Sequence, residues 1–283
     1  MLFYCNLTRH SGDVLKRERI FIEAHRAVTN GQKTHNTKEA VLDAIEKGVE
    51  SIEIDVWLTS DNKVVVLHDL DKDIHDCQNN SLYGKLTVKS NKCVLSYSQL
   101  QQCKIKEGNY SIPLLDEIMN ITKGKIFMNL EIKDSNIEIW DKIQDLIEKY
   151  EYYDQISICK FSLPYDLHQN FYKKVEKYNN DFKRKIVFGF LYLETLTIDY
   201  EKKNHQITIK NDYAKKETVK KAHDNGMTVG VYFLKEPENY YDLFEIGVDV
   251  IITDYPIKVA NQLKEYYYNT ISCSIIKTNI LNN

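Results

Sequence analysis

Apolar positions along the chain follow two periodicities that alternate. Short β-rich runs such as 21–26, 125–132 and 155–161 are separated by segments such as 37–47 and 137–150, in which apolar residues recur every three or four positions. The short runs are typical of strands and the longer segments are typical of amphipathic helices. Strands that alternate with such helices pair in parallel through right-handed crossovers. The pattern therefore predicts an α/β fold built on a largely parallel sheet.

The number of strands indicates which parallel architecture this is. Nine strand-like runs can be recognised, one more than the eight strands of a (β/α)8 barrel. The return arm of a hairpin at 51–68 accounts for the extra run, because Asp61-Asn62 favours a tight turn there. We predict a TIM-type (β/α)8 barrel with a small insertion after this second-strand hairpin. A doubly wound open sheet is the alternative, but no G-x-G-x-x-G motif follows the first strand.

The same pattern sets the domain boundaries. We expect an N-terminal extension at 1–19, the barrel at 20–268 and a tail at 269–283 that lies outside the core. A polar segment at about 70–112, rich in Asn, Gln, Ser and Lys, interrupts the alternation of strands and helices. Its composition predicts a mobile cover over the barrel mouth that selects the substrate headgroup. A chain of 283 residues is long enough to form one such barrel.

Composition and charge exclude several classes of protein. A hydrophobic content of 43% rules out a largely disordered chain, and a net charge of −3 provides no broad basic field for nucleic acid. No apolar run approaches the ~20 residues that span a bilayer, and charged residues interrupt the first 19 positions where a signal peptide would lie. We therefore expect a cytoplasmic protein without a transmembrane segment. The sequence leaves the oligomeric state open.

The cysteines bear on the compartment. The chain has six of them, with no C-x-x-C spacing: Cys5, Cys77, Cys93, Cys103, Cys159 and Cys273. Because no signal peptide is evident, most are expected to be reduced thiols. Three of them, at 77, 93 and 103, fall in the polar segment, so a disulfide there would argue for a different compartment.

Three carboxylates are candidate metal ligands. Glu53 and Asp55 lie two residues apart in a predicted strand and therefore share a face, and Glu131 lies on the polar face of the strand 125–133. Barrel strands present functional groups at their C-terminal ends, so these acids are expected to meet at one rim. Oxygen ligands without His or Cys favour a hard divalent cation, Mg²⁺ or Ca²⁺. Surface ion pairs with lysines are the alternative, which placement inside strands disfavours.

Two histidines follow predicted strands beside these acids. His25 ends the first run, and His68 follows the return arm of the hairpin. If the turn has two central residues, the register places His68 opposite Asp55. Histidine can donate or accept a proton near neutral pH, and cleavage of a phosphodiester needs both steps. We interpret the two histidines as an acid–base pair whose individual roles are open.

Two cations are candidate phosphate contacts. Arg26 offers a planar donor fork and Lys133 a point charge. Strict alternation puts Arg26 on the opposite face from His25, so this role requires the strand to end at His25. Glu23 lies in the same run, and either it is a buried partner of His25 or of a lysine, or the strand begins after it. We favour the later start.

The motifs occur in an order that is specific. They are His25-Arg26, Asn36-Thr37, Glu53-Ile54-Asp55-Val56, Leu58-Thr59-Ser60-Asp61, His68-Asp69, Pro113-Leu114-Leu115-Asp116-Glu117, Asn129-Leu130-Glu131-Ile132-Lys133 and the stretch 247–256. From about residue 20 to 258 this order resembles the glycerophosphodiester phosphodiesterase family. The chain departs from the family pattern at Ala27, where Gly is usual, at His35, where Glu is usual, and at 231–233, where a strand with Trp is usual.

The resemblance implies a TIM-barrel hydrolase of lipid and glycerol metabolism. Its small-molecule substrate would be a glycerophosphodiester or a lysophospholipid-like molecule, cleaved to glycerol 3-phosphate and an alcohol. Glu53, Asp55 and Glu131 would hold the cation, while His25 and His68 move protons. One alternative is a lipid-directed phosphodiesterase of the sphingomyelinase D or phosphatidylinositol phospholipase C type. The other is a catalytically dead barrel that binds phosphorylated ligands. The polar insertion and the segment 253–256 favour the first function.

Overall fold

The structure is a computed structural model. It describes residues 20–31, 34–70, 72–75, 88–89, 92–105, 108–161, 165–192, 198, 204–233 and 236–281. The expected N-terminal extension at 1–19 and part of the polar insertion lie outside the described residues.

The described residues contain nine strands at the short runs recognised in the sequence and four two-residue strands, β4 to β7, in the insertion. In chain order they are β1 (Phe21–Ala24), β2 (Ser51–Leu58), β3 (Val64–Val66), β4 (Ile74–His75), β5 (Val88–Lys89), β6 (Lys92–Cys93), β7 (Lys104–Ile105), β8 (Phe127–Ile132), β9 (Ile156–Phe161), β10 (Val187–Tyr192), β11 (Gln206–Lys210), β12 (Thr228–Tyr232) and β13 (Val250–Thr253).

Helices follow most of the barrel strands. They are α1 (Lys38–Glu46), α2 (Tyr97–Leu100), α3 (Leu115–Thr122), α4 (Glu138–Tyr150), α5 (Tyr165–Phe182), α6 (Lys216–Asp224), α7 (Tyr241–Ile246) and α8 (Pro256–Leu281). The Thr37 hydroxyl caps α1 by accepting from the Ala40 N–H at 3.1 Å. α8 runs on to Leu281, into the segment 269–283 that was expected to be a tail, because no Gly or Pro occurs in 268–281 to stop it.

The parallel strands close into a barrel. β1 pairs in parallel with both β2 and β13, so the first and last strands complete the ring. The sheet has nine strands, of which β3 pairs antiparallel with β2 alone. The other eight form the barrel. The TIM-barrel prediction is confirmed, β3 is the extra run, and the open doubly wound sheet is wrong.

Alternation along β2 and β8 separates an apolar outer face from the inner face that carries the carboxylates. Ile52 and Ile54 of β2 and Leu130 of β8 belong to the main apolar cluster, which includes α4 residues Trp140 and Ile143. The residues between them, on the opposite face of each strand, are the polar ones. The helices therefore cover the barrel, and the carboxylates are left to face its interior.

The β2–β3 hairpin has a different register from the one expected. Val56 pairs with Val66 and Leu58 with Val64, which differs by one residue from the register that would place His68 opposite Asp55. The loop between the paired Thr59 and Lys63 has three residues, because Asn62 adopts a left-handed φ of 61° after the turn. His68 therefore lies beyond the end of β3 and is not paired with Asp55.

The described parts of the insertion have their own apolar core. β4 pairs with β7, β5 pairs with β6, and α2 lies between β6 and β7. A second apolar cluster joins this segment to the face of the hairpin that carries Trp57, opposite the face packed against the main cluster, through Trp57, Val65, Leu67, Leu70, Ile74, Cys93, Leu95, Leu100, Cys103, Ile105 and Ile112. These parts of the insertion are therefore not wholly polar, because apolar residues spaced among the polar ones are buried together, and the mobile cover that selects the headgroup stays a prediction.

Most cysteines were expected to be reduced thiols, and Cys103 is an exception. Cys93 and Cys159 are buried free thiols, whereas Cys103 is disulfide-bonded. Disulfides persist in oxidising compartments, so Cys103 counts against the cytoplasmic expectation. Within the described residues, no helix combines the length and apolar character needed to cross a membrane.

Candidate active site

Three carboxylates meet at the C-terminal ends of neighbouring barrel strands. β2 and β8 pair in parallel with Glu53 opposite Asn129 and Asp55 opposite Glu131. Each of the three acids is at most 6% exposed. One ligand oxygen from each of Glu53, Asp55 and Glu131 lies within 4.8 Å of the others. The structure therefore brings together the three residues that the sequence indicated as metal ligands.

Lys133 and Arg26 line the same cluster. The Lys133 ammonium lies 3.1 Å from Asp55 Oδ1 and 2.5 Å from Glu131 Oε1. The Arg26 backbone N–H donates to Glu53 Oε2 at 3.0 Å, and its Nε lies 3.6 Å from Asp55 Oδ2. Both cations thus border the carboxylates at the rim, where they could also contact a phosphate group.

The backbone at Arg26 explains how it joins His25 at the site. β1 ends at Ala24, and His25–Ala27 form a short 3-10 turn in which Arg26 has φ 52°. The strand therefore ends before the histidine, as the role of Arg26 requires. Ala27 follows with φ 62°, a conformation that costs a residue with Cβ about 1–2 kcal/mol and that glycine adopts freely. Ala27 therefore adopts the backbone conformation that suits Gly, at the cost of this strain.

The pKa values of the three acids shift in different directions. Burial and the neighbouring charges of Asp55 and Glu131 raise the pKa of Glu53 well above its ordinary value. Burial also raises the pKa of Glu131. For Asp55, burial is outweighed by Lys133, His68 and Arg26, and the pKa falls well below its usual range. The pKa of Lys133 is raised, because its acidic neighbours outweigh burial. The three carboxylates, when all are ionised, therefore carry more negative charge than Lys133 and Arg26 neutralise.

Each histidine has a carboxylate against Nδ1. His25 Nδ1 lies 2.8 Å from Asp254 Oδ1, and His68 Nδ1 lies 3.2 Å from Asp69 Oδ2. Burial lowers the pKa of His68 to about 4, with Asp55 opposing and Lys133 adding to the shift. Both rings are partly exposed at the rim, with side-chain exposures of 32% for His25 and 24% for His68. Both can therefore meet a substrate there.

The donor set fits a divalent cation. Glu53 Oε1 is buried and has no hydrogen-bond partner among the described residues, although Oε2 of the same carboxylate accepts from Arg26. A buried, unpaired carboxylate oxygen is costly unless a cation satisfies it. Three carboxylates within 4.8 Å match oxygen ligands around one ion with metal–oxygen distances of about 2.0–2.6 Å. Glu53, Asp55 and Glu131 could therefore hold Mg²⁺ or Ca²⁺.

Two residues of the site were missed as site residues in the sequence. The Asn36 amide donates to Asp55 Oδ2 at 2.7 Å, and Asp254 contacts His25 from the last barrel strand. Asn36-Thr37 and the segment 253–256 had been noted only as motifs. Glu23 was also misjudged, since it lies inside β1 and accepts from the Asn129 amide at 2.9 Å.

Comparison with known proteins shows to which family the chain belongs. The model of the glycerophosphoryl diester phosphodiesterase family matches residues 25–258, which is most of the chain. The chain belongs to this family. The predicted family resemblance is confirmed, and the protein is a phosphoric diester hydrolase. The match favours the first predicted function over the sphingomyelinase D and phosphatidylinositol phospholipase C alternatives.

Relatives of this glycerophosphoryl diester phosphodiesterase family member match nearly full length. A glycerophosphodiester phosphodiesterase of Bacillus altitudinis is 25% identical over 86% of the chain and 99% of the relative. A human lysophospholipase D is 22% identical over 83% of the chain and 84% of the relative. An Oleispira antarctica phosphodiesterase, solved with the product sn-glycerol-3-phosphate, superposes with a TM-score of 0.68 at 18% identity over 86% of the chain and 96% of that structure. The last likeness shows the barrel fold.

Proposed function

We propose that the protein hydrolyses glycerophosphodiesters to sn-glycerol 3-phosphate and an alcohol, with a divalent cation and with His25 and His68 as the acid–base pair. The observation that carries this proposal is the convergence of three buried carboxylates, two cations and two rim histidines at one end of the barrel. Family membership and the product bound to the Oleispira relative support the substrate class.

The side chains divide the work between binding and proton transfer. Arg26 and Lys133 offer N–H donors to the phosphate oxygens and so orient the diester against the rim. One histidine accepts the proton of the attacking hydroxyl, from water or the substrate, while the other donates a proton to the leaving alkoxide. Their Nδ1 atoms face carboxylates, so Nε2 is the atom available for transfer in each ring.

A divalent cation would supply a Lewis acid, which the side chains of the site do not provide. When bound by Glu53, Asp55 and Glu131, Mg²⁺ or Ca²⁺ would stabilise negative charge on the phosphate oxygens as a Lewis acid. The chain's own contribution is to gather three oxygens, to leave Glu53 Oε1 unpaired, and to hold Asp55 ionised through Lys133 and Arg26. The orphaned oxygen is the feature of this chain that supports metal dependence most directly.

Turnover assays test the proposal. Purified protein is incubated with glycerophosphocholine, glycerophosphoethanolamine, lysophosphatidylcholine and intact phosphatidylcholine, each with Mg²⁺, with Ca²⁺ and with EDTA. We expect release of glycerol 3-phosphate that EDTA abolishes. Release of lysophosphatidic acid from the lysophospholipid would place the substrate with that of the human lysophospholipase D. Binding without turnover of any of them would contradict the proposal and favour the dead barrel.

A further inference from the structure

The contact between His25 and Asp254 lies at the point where the first and last strands of the barrel meet. Ala24 of β1 is in register with Thr253 of β13, so the residues that follow them, His25 and Asp254, leave neighbouring strand ends together. The contact joins residues 229 positions apart, and His25 Nδ1 lies 2.8 Å from Asp254 Oδ1. Closure of the barrel, rather than proximity along the chain, therefore creates this pair.

The contact fixes the tautomer of the ring. An ionised carboxylate can only accept, so His25 Nδ1 carries the proton and donates it to Asp254. Nε2 of the neutral ring is then a lone-pair acceptor, which faces away from Asp254. A carboxylate at Nδ1 also holds the ring plane and stabilises the imidazolium that forms when Nε2 takes up a proton.

Asp254 stays charged in this position. Burial works against its ionisation, but the hydrogen bond with His25 and the charges of His25, Arg26 and His35 outweigh it and lower the pKa. The side chains of Asp254 and His25 are 40% and 32% exposed, so the pair borders the rim where substrate arrives. Water can compete for such a carboxylate, and a positioning role therefore requires that Asp254 itself be held.

Glu236 holds the segment that carries Asp254. The Asp254 backbone N–H donates to Glu236 Oε1 at 2.9 Å, and the Thr253 hydroxyl donates to the same carboxylate at 3.0 Å. The buried Tyr240 hydroxyl donates to Glu236 Oε2 at 2.5 Å. On the other side, the Gly31 N–H donates to the Asp254 carbonyl at 2.9 Å, which ties the loop after His25 to the same residue.

We propose that Asp254 is a positioning residue for His25, held in place by Glu236, and that it keeps Nε2 of His25 free for proton transfer. The inference rests on the proposed proton-transfer role of His25. It extends that role to a carboxylate–imidazole unit formed between the first and last strands of the barrel.

The chain contains a matched control for this unit. At the opposite end of β13, His223 Nε2 lies 2.8 Å from Asp249 Oδ2, the same distance as in the rim pair. Asp249 also accepts from the Val229 N–H at 2.7 Å. Asp249→Asn therefore alters an equivalent contact away from the rim, whereas Asp254→Asn alters the one at the site.

The test combines kinetics with a readout that does not need activity. Asp254→Asn, Asp254→Glu, Asp249→Asn and wild type are compared by kcat and KM on the substrate found above, by Mg²⁺ calorimetry, and by ¹⁵N NMR of the histidine rings at pH 8, with His25→Ala to assign the His25 signals. We expect an Nδ1-protonated His25 in wild type and Asp254→Glu. In Asp254→Asn we expect the proton on Nε2, because the amide can donate to Nδ1.

The kinetic expectation is a loss in kcat. Asp254→Asn should lower kcat by about 10²-fold or more with KM and Mg²⁺ affinity nearly unchanged, and Asp254→Glu should recover part of the loss. Asp249→Asn should keep wild-type kcat. An unchanged His25 tautomer in Asp254→Asn, or a changed tautomer with wild-type kcat, would overturn the inference. If wild type cleaves none of the substrates, the proposed function fails, and the tautomer in Asp254→Asn still decides whether Asp254 positions the ring.

Discussion

Asn36 and Asp55 clamp each other in both directions. The Asn36 amide donates to Asp55 Oδ2 at 2.7 Å, and the Asp55 backbone N–H donates to Asn36 Oδ1 at 3.2 Å. Both residues are at most 1% exposed. Asn36 therefore orients the candidate ligand Asp55, and the backbone of Asp55 in β2 in turn holds Asn36. Loss of the Asn36 side chain should affect both the metal site and the stability of the fold.

Asn36→Gly tests this clamp. Asn36 has φ 54°, so glycine removes the side chain without adding backbone strain. Partners that orient a metal ligand typically change metal affinity by about 10–100-fold, and we expect a loss of this size for Mg²⁺ in calorimetry. The orphaned Asp55 N–H should also cost about 1–3 kcal/mol of unfolding free energy.

The control for Asn36→Gly is Asn179→Ala. Asn179 makes an equivalent two-way clamp on the backbone of Ile186, at 3.0 Å and 2.8 Å, at the start of β10. Both variants should lose stability in thermal denaturation, but only Asn36→Gly should lose Mg²⁺ affinity. Equal affinity in the two variants would mean that Asn36 has no part in the metal site.

Glu53→Gln should separate metal binding from stability. Burial, Asp55 and Glu131 raise the pKa of Glu53, so without a cation its ionised form is unfavourable. A neutral Gln of nearly the same shape removes this repulsion together with one metal ligand. We expect Mg²⁺ and Ca²⁺ affinity to fall strongly in calorimetric titrations, while the melting temperature in EDTA stays at or above that of wild type. Equal cation affinity in both proteins would exclude the site.

How far the sequence predicts this structure depends on the range of the interaction. The strand that carries Glu53 and Asp55 and the polar face of β8 follow from local periodicity, and both were predicted. Closure of the barrel also followed, because alternating strands and helices leave few topologies. These features depend on residues that are close in the chain or repeat regularly.

The features that the sequence did not yield depend on single backbone torsions or on distant partners. Asn62 in the left-handed region lengthens the hairpin loop and shifts the register by one residue. The contact of Asp254 with His25 spans 229 positions and arises only when the first and last strands meet. The apolar cluster of the insertion was hidden because Leu95, Leu100 and Ile105 are scattered among polar residues.

His25→Ala and His68→Ala should each lower turnover by at least ~10²-fold, the usual scale for losing general acid–base catalysis. The double variant should be little worse than either single one, since residues that act as a unit are non-additive. The wild-type profile of kcat/KM against pH should be bell-shaped, because one ring must be neutral while the other is protonated. Near-wild-type turnover of either single variant on a confirmed substrate would refute the pair.

Leu100→Ala tests whether the insertion is part of the folded core. Leu100 is fully buried in the second apolar cluster, which also contains Trp57 and Leu67. Removing a buried leucine costs about 2–5 kcal/mol. We expect a single, lowered unfolding transition in urea, with Leu42→Ala, an exposed leucine on α1, as the control. A stability equal to wild type would show that the insertion unfolds separately from the barrel.

Lys160 should make stability rise with pH in the alkaline range. Lys160 belongs to β9, and its buried ammonium donates to the carbonyls of Ile132 at 2.9 Å and Asp134 at 2.7 Å and lies over the Phe171 ring. Burial lowers the pKa of Lys160 from 10.5 to about 8, with Asp134 opposing the shift. Between these two values the unfolded chain binds more protons than the folded one, so raising the pH stabilises the folded state.

The expected gain is about 1.4 kcal/mol per pH unit at most, reached between pH 8 and 10.5 and absent below pH 8, where both states are protonated. Urea unfolding of wild type and Lys160→Met across this range isolates the contribution, because other titrating groups cancel in the difference. The control Lys216→Met removes an exposed lysine at the start of α6. A difference between wild type and Lys160→Met that does not change with pH would show that burial does not lower the pKa of Lys160.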